Sequence, residues 1–172
     1  ASAAVYRLID PEKIGLMGHS IGGAESAQVA RERNDISAVI NLDGDLFGEY
    51  VNFVNGAEVL NAKPYPVPLL NIYADDMKHA LDAIPNATQV VAAKHVITTA
   101  PHGHEVYLPG TNHFSMTDLA LASPLIVSLM TDVVPGASGG DADPYGTLTK
   151  MNGIILQFFN VYLKGEGAFA GE

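Results

Sequence analysis

Short apolar runs bounded by turn residues alternate along this chain with segments whose apolar residues recur every three or four positions. The runs are residues 13–17, 38–42 (AVINL), 69–73 (LLNIY, led in by the proline-rich KPYPVP) and 105–108. Runs this short, closed by Gly, Pro, Asn or Asp, predict buried strands. Helical spacing covers 22–33, where Ala24, Ala27, Val29 and Ala30 are available for packing. It also covers 86–95, with Asn86 as the N-cap residue, and 151–163, which stops at Lys164-Gly165. Strands alternating with helices predict an α/β arrangement around a parallel sheet. Residues 44–62 and 135–146 (PGASGGDADPYG) read as loops. The apolar stretch 119–134, interrupted by Ser123-Pro124, is expected to be a bent core helix or a flap over an apolar substrate pocket.

Length and composition narrow the picture. A chain of 172 residues is enough for one domain with a real core. Hydrophobic residues make up 48% and charged residues 16%, which is globular and carries no disorder signature. With nine Lys and Arg in all and a net charge of −10, no nucleic-acid footprint is expected, and docking to an anionic membrane is disfavoured. No apolar run reaches 18 residues, so no transmembrane helix is expected. The absence of cysteine excludes thiol catalysis, disulfides and cysteine-bound metal, and leaves the compartment open. The start, ASAAVYRLIDPEK, lacks the features of a signal peptide and an initiator Met, as in a processed product or an internal piece.

The stretch IGLMGHSIGGAE places Ser20 between Gly18 and Gly22, after the first predicted strand and before the first predicted helix. The pattern G-x-S-x-G occurs by chance in a chain this long on the order of one time in twenty at ordinary Gly and Ser usage. Its context is what a nucleophile elbow requires. The turn holds its serine in a strained conformation so that the side chain projects from the top of the sheet. Gly18 and Gly22 are expected to remove collisions with the adjoining strand and helix. The following helix aims its N-terminus at the site, so the Ile21 backbone N–H is the candidate oxyanion donor. Phosphate binding is the weaker alternative, since neither G-x-G-x-x-G nor a Walker lysine is present.

A serine hydroxyl needs a base, usually a histidine oriented by a carboxylate, in the chain order Ser, acid, His for this kind of elbow. Asp43 follows AVINL directly, whereas Asp75 and Asp76 follow LLNIY. Both sets lie at carboxyl ends of strands, where sites of parallel sheets form. His113, in LPGTNHFSMTD, follows the last short strand. His102 and His104 precede that strand and belong at the wrong end; with Glu105 they read as solvated loop rather than metal site. His19 cannot reach round to act as base, and His79 and His95 read as helix-surface residues. His19, Leu46 and Phe114, which neighbour the three triad candidates, are the candidate substrate-binding residues.

GHSIGGAE, NLDGD, PLLNIYADD, GTNHFSMTD and the closing FFNVYLKG together resemble the platelet-activating-factor acetylhydrolase-like and dienelactone-hydrolase-like branches of the α/β-hydrolases, over roughly residues 13–164. The resemblance implies an α/β-hydrolase fold, a three-layer sandwich with a mostly parallel sheet. It implies a serine esterase that forms an acyl-enzyme and needs no cofactor or metal, acting on a small-molecule ester with a short or apolar acyl group. The acetylhydrolase branch has its acid in an L-D motif after the strand following the elbow, which maps onto Asp43. Its G-T-x-H motif maps onto His113, with Asp118 as a structural aspartate. Most other α/β-hydrolases carry the acid one strand later, which makes Asp76 the alternative. A non-catalytic binding protein on the same scaffold, or an acyltransferase, are the competing functions.

The family's sheet normally has about four strands before the elbow, and this chain has almost nothing there. It therefore corresponds to the C-terminal portion of one domain spanning 1–172, from the elbow strand onward. An N-terminal fragment or second chain is expected to complete the sheet and to supply the second oxyanion donor, whose loss costs roughly 10²–10³ in rate.

Overall fold

In the computed structural model, residues 8–121 and 140–171 are described. Four parallel strands among them form one sheet, in the order β1 (Ile14–His19), β2 (Ile36–Leu42), β5 (Leu69–Tyr73) and β6 (Gly103–Tyr107). The central strands β2 and β5 are buried almost throughout, which is why each reads as a continuous apolar run rather than an alternation. Successive side chains still leave opposite faces. Val39 and Leu69 pack against α1 (Ile21–Glu32) and α3 (Thr88–Thr99), through Ala27, Ala30, Ala92 and Val96. Ile40, Leu42, Leu70 and Ile72 face the other way, onto Met151, Ile154 and Phe158 of α4 (Pro144–Phe159). The result is the expected three-layer α/β-hydrolase sandwich.

Several elements differ from the expectation. Residues 44–62 are not all loop. They hold a 3-10 turn, Phe47–Glu49, and an antiparallel hairpin of β3 (Tyr50–Val54) and β4 (Ala57–Leu60). Asn55 and Gly56 close it with φ of 53° and 82°, the two-residue turn whose twist suits a hairpin. A further helix, α2 (Asp75–Ala83), carries no fully buried residue; its apolar Met77, Ala80 and Leu81 are half-buried along one side. Helix α3 starts at Thr88 with Ala87 as its N-cap, so Asn86 does not cap it. Helix α4 starts at Pro144, earlier than 151, because Asp143 accepts a hydrogen bond from the Gly146 N–H at 2.6 Å and Pro suits the first helical position. A π-helical turn, Asn160–Lys164, ends at Gly165 with φ 73°, the stop the sequence predicts. Of the apolar stretch 119–134, residues 119–121 belong to the 3-10 turn Asp118–Leu121, and 122–134 lie outside the described residues.

Strand β1 pairs with β2 on one side, and no described strand covers its other edge. Met17 on this strand is half exposed, as are Leu8 and Ile9 before it or more so. No helix among the described residues is long and apolar enough to cross a membrane.

Candidate active site

Ser20 sits at the junction of β1 and α1 with φ 59° and ψ −126°. Its N–H continues the ladder to the Leu42 carbonyl at 2.8 Å, and its carbonyl accepts from the N–H groups of Gly23 and Ala24 at 3.0 and 3.2 Å. A Cβ on Gly18 would come within 2.3 Å of the Gly22 backbone, so that glycine is required by close approach. Gly22 is not. A Cβ there meets open space, whereas one on Gly23 would lie 2.1 Å from Asn41 Oδ1 and 2.7 Å from the Gly18 carbonyl. The expectation at Gly22 is thus corrected by one residue: each helical step turns the side chain by about 100°, and Gly23 is the one that faces the sheet. Ile21 opens α1, so its N–H has no intrahelical carbonyl to meet.

His113 begins the 3-10 turn His113–Met116, which Asn112 and Ser115 hold with a reciprocal capping box. This fixes the ring. Its Nε2 lies 2.9 Å from Ser20 Oγ, and its Nδ1 lies 2.8 Å from Asp43 Oδ2. The other Asp43 oxygen accepts from the Ala74 N–H at 2.9 Å. The Asp43 side chain is only 4% exposed and that of His113 is 34%, so the acid is sealed beneath a ring that solutes can reach. Burial and the nearby Asp43 charge push the neighbouring Asp45 carboxyl up.

His19 bonds away from the serine. Its Nε2 lies 2.8 Å from the His113 backbone carbonyl, and the two rings are 4.4 Å apart. Burial lowers its pKa from the ordinary histidine value, with the bond to the His113 carbonyl pulling the other way. Phe114 meets the His113 ring edge-on at 5.5 Å. Leu46, expected at the substrate, is instead 3% exposed in the core cluster under α1; the tight turn that follows turns Phe47 outward in its place.

The alternative acids are engaged elsewhere or exposed. Asp75 accepts from the Tyr107 hydroxyl at 2.6 Å and the Gly110 N–H at 3.0 Å, and Asp76 lies exposed on the first turn of α2. His104 is a strand residue, not solvated loop. It lies 2.6 Å from the Tyr162 hydroxyl and packs against Phe158 and Phe169. His79 is exposed as expected, but His95 turns inward, 3.6 Å from Glu49. Two fully buried residues with no expected role, Asn41 and Asn71, lie directly beneath the Asp43 turn. Asn41 is visible in the sequence as a polar residue inside an apolar strand; its partner Gly44 lies three residues on, and its partner Asn71 comes from the register.

A parallel sheet with a serine elbow at its first strand and helices on both faces defines an α/β-hydrolase. The sequence model of the family described as platelet-activating factor acetylhydrolase, isoform II, matches residues 4–169, and the chain belongs to that family. The family is one of ester hydrolases. Among solved structures, the chain is similar to a ferulic acid esterase from Streptomyces cinnamoneus, with a TM-score of 0.65 and 22% identity, over 93% of this chain and 43% of that one. It is also similar to a variant of the AtxE2 isopeptidase, with a TM-score of 0.49 and 17% identity, over 94% of this chain and 24% of that one. The chain therefore spans less than half the length of these structures. Comparison with curated proteins returns no match.

Proposed function

We propose that this chain carries the catalytic serine, histidine and aspartate of a carboxylic ester hydrolase. Ser20 Oγ attacks the acyl carbonyl while His113 Nε2 takes its proton. The Ile21 N–H donates to the developing oxyanion. The alcohol leaves with the proton returned by His113, and an acyl-Ser20 remains. Water then attacks this ester, with His113 again as base, and the acid is released. Asp43 holds the imidazole and offsets its charge when protonated. The observation that supports this most is the unbroken hydrogen-bond chain from Ser20 Oγ through both His113 ring nitrogens to Asp43. The chemistry needs no cofactor. A short-chain or apolar acyl ester is the substrate class.

We further propose that a preceding segment or second chain pairs with the outer edge of β1 and brings the second oxyanion donor. That no described strand covers this edge, next to the elbow, supports this, since open edges are liabilities.

The test is intact-mass spectrometry after a fluorophosphonate, with peptide mapping and a parallel p-nitrophenyl acetate assay. An adduct on Ser20 together with turnover is expected. A folded chain that takes up no adduct, even with the preceding segment supplied, overturns the proposal.

A further inference from the structure

The α1 side of the sheet is apolar along its lower half and polar along its upper half. Val39 and Leu69 give way to Asn41, Asn71 and Tyr73 on the same face, and these are between 0% and 3% exposed. A buried amide is costly unless its partners are met, and here they are. Asn41 Oδ1 accepts from the Gly44 N–H at 3.1 Å, and Nδ2 donates to the Gly44 carbonyl at 2.8 Å and to Asn71 Oδ1 at 3.1 Å. Asn71 Nδ2 donates to the Tyr73 hydroxyl at 2.8 Å, which donates to Glu105 at 3.1 Å.

One side chain thus grips both backbone groups of the residue that follows Asp43. Asp43 holds φ 54°, a left-handed conformation a non-glycine residue leaves unless its surroundings enforce it. Gly44 has no slack either. A Cβ on it would lie 2.2 Å from the Ser20 carbonyl and 2.5 Å from Asn41 Oδ1. Asn41 also stands against Gly23 of the elbow helix. It therefore touches the turn of the acid and the turn of the nucleophile at once.

We propose that Asn41 is a positioning residue: its amide clamp on Gly44 enforces the left-handed turn at Asp43 and so sets the carboxylate against His113 Nδ1. Its kinetic consequence rests on the ester-hydrolase proposal above; its geometric consequence does not. Asn71 and Tyr73 orient the Asn41 amide, and their loss is felt less, because the bonds from Asn41 to Gly44 survive it.

The test compares the unsubstituted chain with Asn41→Leu, which removes all three bonds at similar volume, and with Asn71→Leu, which leaves the Gly44 clamp. The first readout is the low-field proton NMR resonance of the His113 Nδ1–H hydrogen-bonded to Asp43, recorded in the resting protein. It is expected in the unsubstituted chain and in Asn71→Leu, and lost or moved upfield in Asn41→Leu. The second readout is ester turnover. Asn41→Leu should lower kcat about 10- to 100-fold with KM within about two-fold, the scale set by an ångström of misplacement. A folded Asn41→Leu with the resonance and kcat unchanged overturns the proposal. So does an Asn71→Leu with an equal loss, which would make the network a support for stability only. If Asn41→Leu does not fold, Asn41→Ala decides by the same readouts. A chain that shows the resonance but hydrolyses no ester contradicts the hydrolase proposal while leaving the Asn41 comparison intact.

Discussion

Ser20 and Asp43 each follow the end of one of two neighbouring parallel strands with a positive φ, 59° and 54°, and both are anchored by the strand next to them. The Ser20 N–H reaches the Leu42 carbonyl at 2.8 Å, and the Asp43 N–H reaches the Ile72 carbonyl at 2.9 Å. Each sheet ladder thus runs one residue past the end of its strand and terminates on a proposed catalytic side chain. Conformations of this kind cost about 1–3 kcal/mol each and persist only where packing enforces them. The strain aims one side chain from each strand end at His113.

That strain separates activity from stability at Ser20. Ser20→Ala should lose ester turnover by roughly 10⁴-fold or more and keep its unfolding free energy within about 0.5 kcal/mol. Ser20→Gly should be equally inactive yet more stable, by up to about 1 kcal/mol, because glycine adopts φ 59° without steric cost. Denaturant unfolding with a p-nitrophenyl acetate assay measures both. Equal or lower stability of the glycine variant would show that the elbow is not strained.

The acids can be told apart by one carboxyl-to-amide change each. Asp43→Asn keeps the shape but replaces an acceptor with a donor facing His113 Nδ1, which forces the wrong tautomer. A loss of about 10⁴ in kcat is expected. Asp76→Asn, exposed on α2, should leave kcat within about two-fold. A severe Asp76→Asn with a mild Asp43→Asn would transfer the role to the later strand. Retained fluorophosphonate labelling at a slow rate in Asp43→Asn would confirm that the serine itself is still presented.

Stability should fall on mild acidification. Burial lowers the pKa of both His19 and His104 below 6.5. The unfolded chain then binds more protons than the native one below that pH, so their contribution is present above it and lost as pH falls through the depressed native values. Unfolding free energy measured at pH 7.5 and at pH 5 should show the drop. His104→Phe, which suits the ring cluster of Phe158, Phe169 and Tyr162, should flatten the pH dependence. A profile as steep as that of the unsubstituted chain would mean the titration lies elsewhere.

What the sequence reveals follows how local each feature is. LLNIY is legible as a strand because prolines precede it and every residue in it is buried. Ser20 is legible because the elbow is a contiguous stretch whose backbone demands small residues. The hairpin is harder to read, because Val51, Phe53, Val54 and Val59 are exposed and the strands bury no clean face; only Asn55-Gly56 marks its turn. Helix α2 has only nine residues, and its half-buried Met77, Ala80 and Leu81 make a stripe too short to stand out. The early start of α4 is hidden because Pro144 and Gly146 look like loop residues until Asp143 is seen as a cap. Leu46 is buried and Phe47 exposed where the chain enters the 3-10 turn Phe47–Glu49, which no periodicity resolves. The Asn41 clamp on Gly44 spans only three residues, but the bond from Asn41 to Asn71 depends on register, since that partner comes from thirty residues away.

The hairpin is tied to the body by an ion pair that water barely reaches. Arg31 Nε donates to Glu49 Oε1 at 2.6 Å, and the two side chains are 7% and 4% exposed. Arg31 also donates to the carbonyls of Lys63 and Pro64 at 3.1 and 2.9 Å and stands over the Tyr65 ring at 5.0 Å. It therefore joins α1 to both ends of the segment that carries β3 and β4. Breaking such a pair from one side strands a buried charge and costs about 3–5 kcal/mol, whereas replacing both partners with apolar groups is often close to neutral. Glu49→Leu and Arg31→Met should each destabilise by several kcal/mol, on the order of that range. The double substitution Arg31→Met with Glu49→Leu should recover more than half of the loss, because no charge remains unpaired. Denaturant unfolding of all four proteins closes the cycle. If the double variant is as unstable as the sum of the single ones, the backbone contacts of Arg31, not its pairing with Glu49, hold the hairpin in place.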